Sequence, residues 1–289
     1  MSVSSRIDQA LNAAVTRASA AGCPPRLAEA LHYSVFPGGA RVRPRLCLAV
    51  AGACGDADPA LTDAAAAAIE LLHCASLVHD DLPCFDDAPL RRGKPSVHKA
   101  FGERLAVLVG DAMIVLAFQT LARGATAHPE RLVPLLLTIG ESVGMPLGIA
   151  AGQAWECEPR VSLSDYHNAK TGSLFVAACV AGAQAAGADP APWRGVGECL
   201  GEAYQVADDL RDALCDVDEL GKPVQRDAQL GRPSAVEELG VDGAVQRLRD
   251  LVAGAVAQVP ACPGAEALKA LIAGESARIL PKDLAGHAA

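Results

Sequence analysis

Apolar residues recur at helical spacing through most of the chain, and the segments they define are divided by short Pro/Gly loops at Phe36-Pro37-Gly38-Gly39, around 88–95, and at Gly231-Arg232-Pro233. No stretch shows a convincing strand-like alternation of apolar and polar residues, and no internal repeat is found, so the pattern predicts an all-α protein. One long helix is expected to begin at Thr62-Asp63, run through the alanine block at 64–68 and end near Leu82, because Pro83 cannot continue it. A second is predicted over 195–214 and a third over 164–186. Beyond residue 240 two amphipathic segments, 241–259 and 264–279, carry no motif and are assigned to packing.

At 289 residues, with no linker-like run, the chain reads as a single domain, 1–289. Half of it is hydrophobic yet only 3% is aromatic, so its core is built from Ala, Leu and Val. The uncharged stretch 171–188 is long enough to weigh as a membrane span, but its Ala/Gly composition and Gln184 favour a buried helix and no transmembrane span. A net charge of −9 argues against nucleic acid as a partner, whereas Arg41-Val42-Arg43-Pro44-Arg45 and Arg91-Arg92-Gly93-Lys94 are local basic patches that suit an anionic ligand. The ten cysteines form no C-x-x-C pair and sit in apolar surroundings, which fits a reducing compartment. The first residues lack a basic-then-apolar leader, so a cytoplasmic location is expected.

Two aspartate clusters carry the chemistry: Asp80-Asp81-Leu82-Pro83-Cys84-Phe85-Asp86 and Asp208-Asp209-Leu210-Arg211-Asp212. The first falls at a helix C-terminus, where the helix dipole adds negative charge to carboxylates that already repel, so a cation should bind there. On an unbroken helix Asp80 and Asp86 would point about 240° apart, and only a bend at Pro83 could let them share metal. In the second cluster Gln205, Asp208 and Asp212 form one stripe at i, i+3 and i+7. Carboxylates without cysteine or a histidine pair suit Mg²⁺, which shares its shell with water and phosphate. Each cluster alone reads equally as a solvated acidic helix end; two on apolar helices, with arginines around them, favour metal and diphosphate. The ligand alternation of an EF-hand is missing from both.

These motifs resemble those of the trans-isoprenyl diphosphate synthase family, D-D-x-x-x-x-D followed by D-D-x-x-D. The likeness extends over nearly the whole chain through 38–44, His73, Arg91 to Pro95, Gly110-Asp111, Gly152-Gln153, Lys170-Thr171 and Gly221-Lys222-Pro223. It implies the isoprenoid synthase fold, a large helical domain with antiparallel helices around a deep apolar cavity, acting as a homodimer. It also implies three Mg²⁺: Asp80 and Asp86, with Asp81 beside them, for two, and Asp208, supported by Asp212, for the third. Arg91, Lys170 and Lys222, with Thr171 and Gln205, would meet the allylic diphosphate. Arg43, His73 and Arg92, with the Gly39 backbone close by, would hold isopentenyl diphosphate.

The implied reaction ionises an allylic diphosphate (dimethylallyl, geranyl or farnesyl), lets the isopentenyl double bond attack the cation, and ends with loss of a proton. Two departures stand out: Ala40 replaces a usual Lys, with Arg41 or Arg43 as compensating cations, and Glu156 replaces a commoner Asp. Both resemble the branch that makes geranylgeranyl diphosphate for bacterial pigment (carotenoid) pathways. Ala75 and Ser76, roughly 6–8 Å below Asp80 along a helix, are small and leave room for a product beyond fifteen carbons, although an alanine-rich helix supplies small residues in any case. A farnesyl or longer-chain synthase, and a non-catalytic regulatory partner subunit, are the alternatives; a terpene cyclase would need a different second metal motif.

Overall fold

A computed structural model of the chain describes residues 3–56, 58–159, 166–214 and 234–279. Twelve α-helices are found among the described residues, in the order α1 (Val3–Ala18), α2 (Pro25–Val35), α3 (Val42–Ala53), α4 (Pro59–Asp80), α5 (Val97–Phe101), α6 (Glu103–Gly124), α7 (Leu132–Val143), α8 (Ile149–Ala154), α9 (Ser173–Ala186), α10 (Trp193–Leu214), α11 (Ala235–Gln258) and α12 (Ala265–Ile279). The all-α expectation holds apart from a miniature antiparallel hairpin, β1 (Leu90–Arg91) and β2 (Lys94–Pro95). Its turn places Arg92 and Gly93 at φ 53° and 74°. Two consecutive positive values mark the tight turn whose twist matches a two-residue hairpin loop.

The chain forms two compact units. The first comprises Met1–Gly52, Asp56–Ile139 and Ala181–Ala188; the second comprises Ala53–Gly55, Gly140–Val180 and Asp189–Ala289. In the first, α4 is the central element. Its N-cap is Asp58, not Thr62 or Asp63: the Asp58 carboxylate accepts from the backbone N–H groups of Ala60 and Leu61, and Pro59 occupies the first helical position, where no N–H is needed. Nearly every side chain from Leu61 to Leu72 is buried, so the helix is apolar all round and lies inside the core. Near its end His73, Ser76, Leu77 and Asp80, on one stripe, reach partial exposure, as does His79 beside it.

Packing between α4 and α6 depends on small residues. A Cβ on Gly124 would lie 2.3 Å from the Ala64 Cβ and 3.2 Å from the Ala60 carbonyl, and a Cβ on Gly110 would enter the His79 ring. At Gly124 the two helices thus approach too closely for a side chain, and at Gly110 the missing Cβ makes room for the His79 ring. By length and composition α4 and α6 could each cross a membrane, as 171–188 was weighed to do; 78% of the apolar window of α4 is buried in the protein but 44% of that of α6. The outward residues of α6 include Val107, Leu108 and Val115, 42%, 53% and 56% exposed.

In the second unit α10 and α11 pack through Ala203, Val206, Ala207 and Leu210 against Ala244, Val245, Leu248 and Leu251. α11 is interrupted at Gly240 (φ 69°), so a fresh helix starts at 241, where the periodicity placed it. The helix expected over 164–186 departs from regularity: Asn168–Gly172 is a π-turn, and α9 starts only at Ser173.

Gly→Ala inside a helix ordinarily stabilises by up to about 1 kcal/mol. At Gly124 the clash with Ala64 should reverse the sign and cost about 1–3 kcal/mol, whereas Gly140, with open space around it, should follow the propensity. Chemical denaturation of Gly124→Ala and Gly140→Ala checks this.

Candidate functional site

The first cluster is shaped by the way α4 ends. Asp81 N still donates to Leu77 O, but Asp86 N donates to Asp80 O at 2.9 Å and Ala88 N to Asp81 O at 3.2 Å. The loop therefore doubles back over the helix end, with Pro83 inside it, and the backbones of Asp80 and Asp86 are hydrogen-bonded neighbours rather than opposite sides of a helix.

Asp81 behaves differently from the metal ligand expected on sequence grounds. Its side chain is 3% exposed and accepts from Arg91 Nε at 3.0 Å and Nη2 at 2.5 Å. Burial holds this carboxyl above its ordinary value, and the guanidinium offsets that only in part. Arg91, for its part, is desolvated, yet the bond to Asp81 and the charges of Asp81, Asp80 and Asp86 outweigh that and keep its proton bound. Three carboxylates are thus grouped about one guanidinium, with Asp81 engaged by it.

Beside this lies a concentration of positive charge. Arg92, held on the hairpin turn, donates through Nη1 to the Gly38 carbonyl. Gly39 has φ 132°, and a Cβ there would sit 2.5 Å from the Arg92 guanidinium, so glycine is required for both conformation and space. Arg43, 8% exposed, lies with Nη1 3.5 Å from His73 Nε2. Burial first, then the charges of Arg43, Arg92, Arg91 and Arg41, hold the His73 imidazole well below its ordinary value, so it is neutral near pH 7. A neutral ring among guanidinium groups is suited to hydrogen-bonding an anion.

Arg41 is not available for that role. Its Nη1 donates to Glu70 Oε1 at 2.6 Å and its Nη2 to the Val35 carbonyl at 2.5 Å, inside the protein. Of the two cations the sequence left open as compensation for Ala40, Arg41 is thus engaged elsewhere, while Arg43 lies beside His73. Removing either member of a buried pair such as Arg41 with Glu70 strands the other, at a cost of about 3–5 kcal/mol. Ala75 is fully buried, while Ser76 shares the stripe of His73 and Asp80 and donates its hydroxyl to His73 O at 2.8 Å.

In the second unit the π-turn presents Lys170 and Thr171. A Cβ on Gly152 would lie 2.4 Å from Lys170 N, and one on Gly201 would lie 2.7 Å from Gly172 Cα, so glycines press on the turn from two sides. Lys170 Nζ donates to Glu156 Oε1 at 2.5 Å, and the Tyr166 hydroxyl donates to the same oxygen at 2.6 Å. Thr171 Oγ1 donates to Gln205 Oε1 at 2.9 Å, Gln205 Nε2 to Asp209 Oδ1 at 2.9 Å, and Ala235 N to Asp209 Oδ2 at 2.8 Å.

Asp208 and Asp212 keep the half-buried stripe predicted for them, and Asp208 pairs with Arg211 at 3.0 Å. The Gln205 amide, by contrast, connects Thr171 to Asp209. Lys222 lies outside the described residues.

Three participants escaped sequence reasoning. Glu70 had a legible signal, a carboxylate midway along a largely apolar helix, which demands a buried cation. Asp209 was obscured by Asp208 next to it, although one helical position apart means opposite environments. Glu156 stood out only as a departure from a motif.

The donors fit Mg²⁺. Among the described residues no three His, Cys, Asp or Glu side chains converge on one point, while Asp80 and Asp86 share one small loop. An ion held there would take one or two carboxylates and fill its shell with water and phosphate, the preference of Mg²⁺.

A model of the polyprenyl synthetase family matches residues 24–262. The geranylgeranyl diphosphate synthase of Cereibacter sphaeroides is 54% identical over 287 residues, covering 99% of this chain and 100% of that protein. That of Rhodobacter capsulatus is 51% identical, covering 94% of each. Among known structures, a Helicobacter pylori geranyltransferase complexed with magnesium and isoprenyl diphosphate superimposes with a TM-score of 0.79 at 28% identity, covering 94% of this chain and 96% of that one.

Because folded His73 is neutral, the unfolded chain takes up the extra proton as pH falls. Its contribution to stability is intact above about pH 6.5 and is lost progressively below it. His73→Gln should therefore flatten the acid side of the stability profile, which thermal unfolding across pH 5–8 would measure.

Proposed function

The chain belongs to the polyprenyl synthetase family, and from that premise we propose that it is a geranylgeranyl diphosphate synthase, condensing isopentenyl diphosphate with dimethylallyl, geranyl and farnesyl diphosphates. The observation that carries this reading is the pairing, in one unit, of a folded-back carboxylate loop with a cradle of Arg43, Arg92 and neutral His73. Carboxylates call for a cation, and the cradle calls for an anion. Full-length identity above one half to synthases of that product supports the twenty-carbon length.

Asp80 and Asp86 would hold Mg²⁺ in the first unit, and Asp208, with Asp212 near it on the stripe, would hold it in the second, for three ions in all. Mg²⁺, when bound, offsets charge developing on the departing diphosphate. In the first unit Arg91 would bind the allylic diphosphate; in the second Lys170 would bind phosphate oxygen by exchanging Glu156 for it, and Lys222 is assigned the same role as Lys170. Arg43, Arg92 and His73 would orient isopentenyl diphosphate so that its double bond meets the allylic carbon as the C–O bond breaks, the C–O electron pair leaving with diphosphate and the condensed cation then losing a proton to that released diphosphate. Asp81 contributes by aiming Arg91, and Thr171 is steadied by Gln205.

The exposed apolar face of α6, with Val107, Leu108 and Val115, is a surface that a second copy of the chain would cover, which supports a homodimer. Sedimentation velocity in detergent-free buffer should give twice the chain mass; a monomer, or a requirement for detergent, would overturn this.

With Mg²⁺, isopentenyl diphosphate and farnesyl diphosphate, the protein should yield a twenty-carbon diphosphate. Asp80→Ala and Asp208→Ala should each lower kcat by about a hundredfold or more while remaining folded. Near-normal turnover in either would sink the assignment. In the same assay Ala75→Tyr and Ser76→Phe should move the product toward fifteen carbons, and an unchanged product ladder from both would reject these positions as chain-length determinants.

A further inference from the structure

Arg41 has a backbone φ of 50°, a conformation disfavoured for a residue with a side chain. It is held there from three directions. Nη1 donates to Glu70 Oε1 at 2.6 Å, Nη2 donates to Val35 O at 2.5 Å, and the Arg41 carbonyl accepts from Arg45 N at 3.1 Å. The ion pair is shielded, with side-chain exposures of 9% for Arg41 and 2% for Glu70. Arg41 thus joins the end of α2 to the middle of α4 and fixes the chain between them, the segment that carries Gly38 and Gly39. Two residues before the pinned position, Gly39 faces the Arg92 guanidinium, and Gly38 O receives its hydrogen bond. Ala40 extends no cation into this segment, so its electrostatic effect on a ligand runs through where the backbone puts Arg92.

We infer that Glu70 and Arg41 are a positioning pair for the isopentenyl diphosphate end of the reaction, holding the Gly38-Gly39 backbone so that Arg92 is aimed beside Arg43 and His73. Neither residue need touch substrate. The inference rests on the proposed function for the identity of the ligand, but the juxtaposition of a buried charge pair, a left-handed residue and a docked guanidinium is independent of it. Fold maintenance alone predicts a different outcome. Buried ion pairs can be replaced by apolar residues of similar volume with little loss of stability, so a purely structural pair would be replaceable without consequence for binding.

The test uses the full chain in three forms: wild type, Glu70→Gln, and the apolar double variant Arg41→Met/Glu70→Leu. Each is assayed with Mg²⁺ while isopentenyl diphosphate and farnesyl diphosphate are varied in turn, and titrated calorimetrically with inorganic diphosphate without Mg²⁺ or allylic primer. The expected result is a KM for isopentenyl diphosphate raised about tenfold or more in both variants. The KM for farnesyl diphosphate should stay within about twofold, even where thermal unfolding shows the double variant as stable as wild type. Equal rises in both KM values, or a double variant that regains wild-type isopentenyl KM, would overturn it. Should wild type show no condensation, the proposed function fails by itself and the calorimetry decides this inference: weakened diphosphate binding in both variants supports it, and unchanged binding refutes it. Should Glu70→Gln fail to fold, the double variant alone decides by the same criteria.

Discussion

A carboxylate taken out of water at the end of an apolar helix must find a cation, and Asp81 finds Arg91. Much of the first unit's chemistry is arranged around that requirement. Reaching Arg91 draws the short hairpin against the C-terminus of α4, and the Asp81 carbonyl accepts from Ala88 N, closing the loop that returns Asp86 to Asp80. The hairpin turn next to Arg91 sends Arg92 the other way, on to Gly38 O. One ion pair thus lies next to both the carboxylate loop and the arginine cradle.

A second buried pair, Arg41 with Glu70, sits deeper on the same helix. In both, a buried carboxylate is matched by a guanidinium, and each pair ties together segments distant in sequence. The tight packing comes from composition. With few aromatics, helices must approach through Ala and Gly, and the contacts at Gly110 and Gly124 show how little space remains between α4 and α6.

The second unit reaches comparable order by other means. Its lysine is carried on a π-turn pressed by Gly152 and Gly201, and a relay from Thr171 through Gln205 and Asp209 to Ala235 N binds that turn to α10 and to the start of α11. π-turns recur at functional sites because the widened turn redirects side chains that a regular helix would align. Here the ammonium of Lys170 rests on Glu156, with both side chains 19% exposed.

Sequence periodicity, motif order and composition were enough to determine an all-helical protein with two carboxylate clusters, a basic segment on either side of the first, and a family relationship. Those properties are local or statistical: helix spacing, proline breaks and residue type are written along the chain. They could not say which aspartate of a pair is buried, because neighbouring residues on a helix differ by 100° and the surroundings of each depend on other segments. The packed structure decided that Asp81 is engaged by Arg91, that Arg41 faces inward to Glu70, that Asp209 caps a relay beside Asp208, and that the helix carrying Lys170 opens into a π-turn. Each depends on contacts between residues ten or more positions apart, or on glycines whose missing side chains matter only when another backbone presses against them.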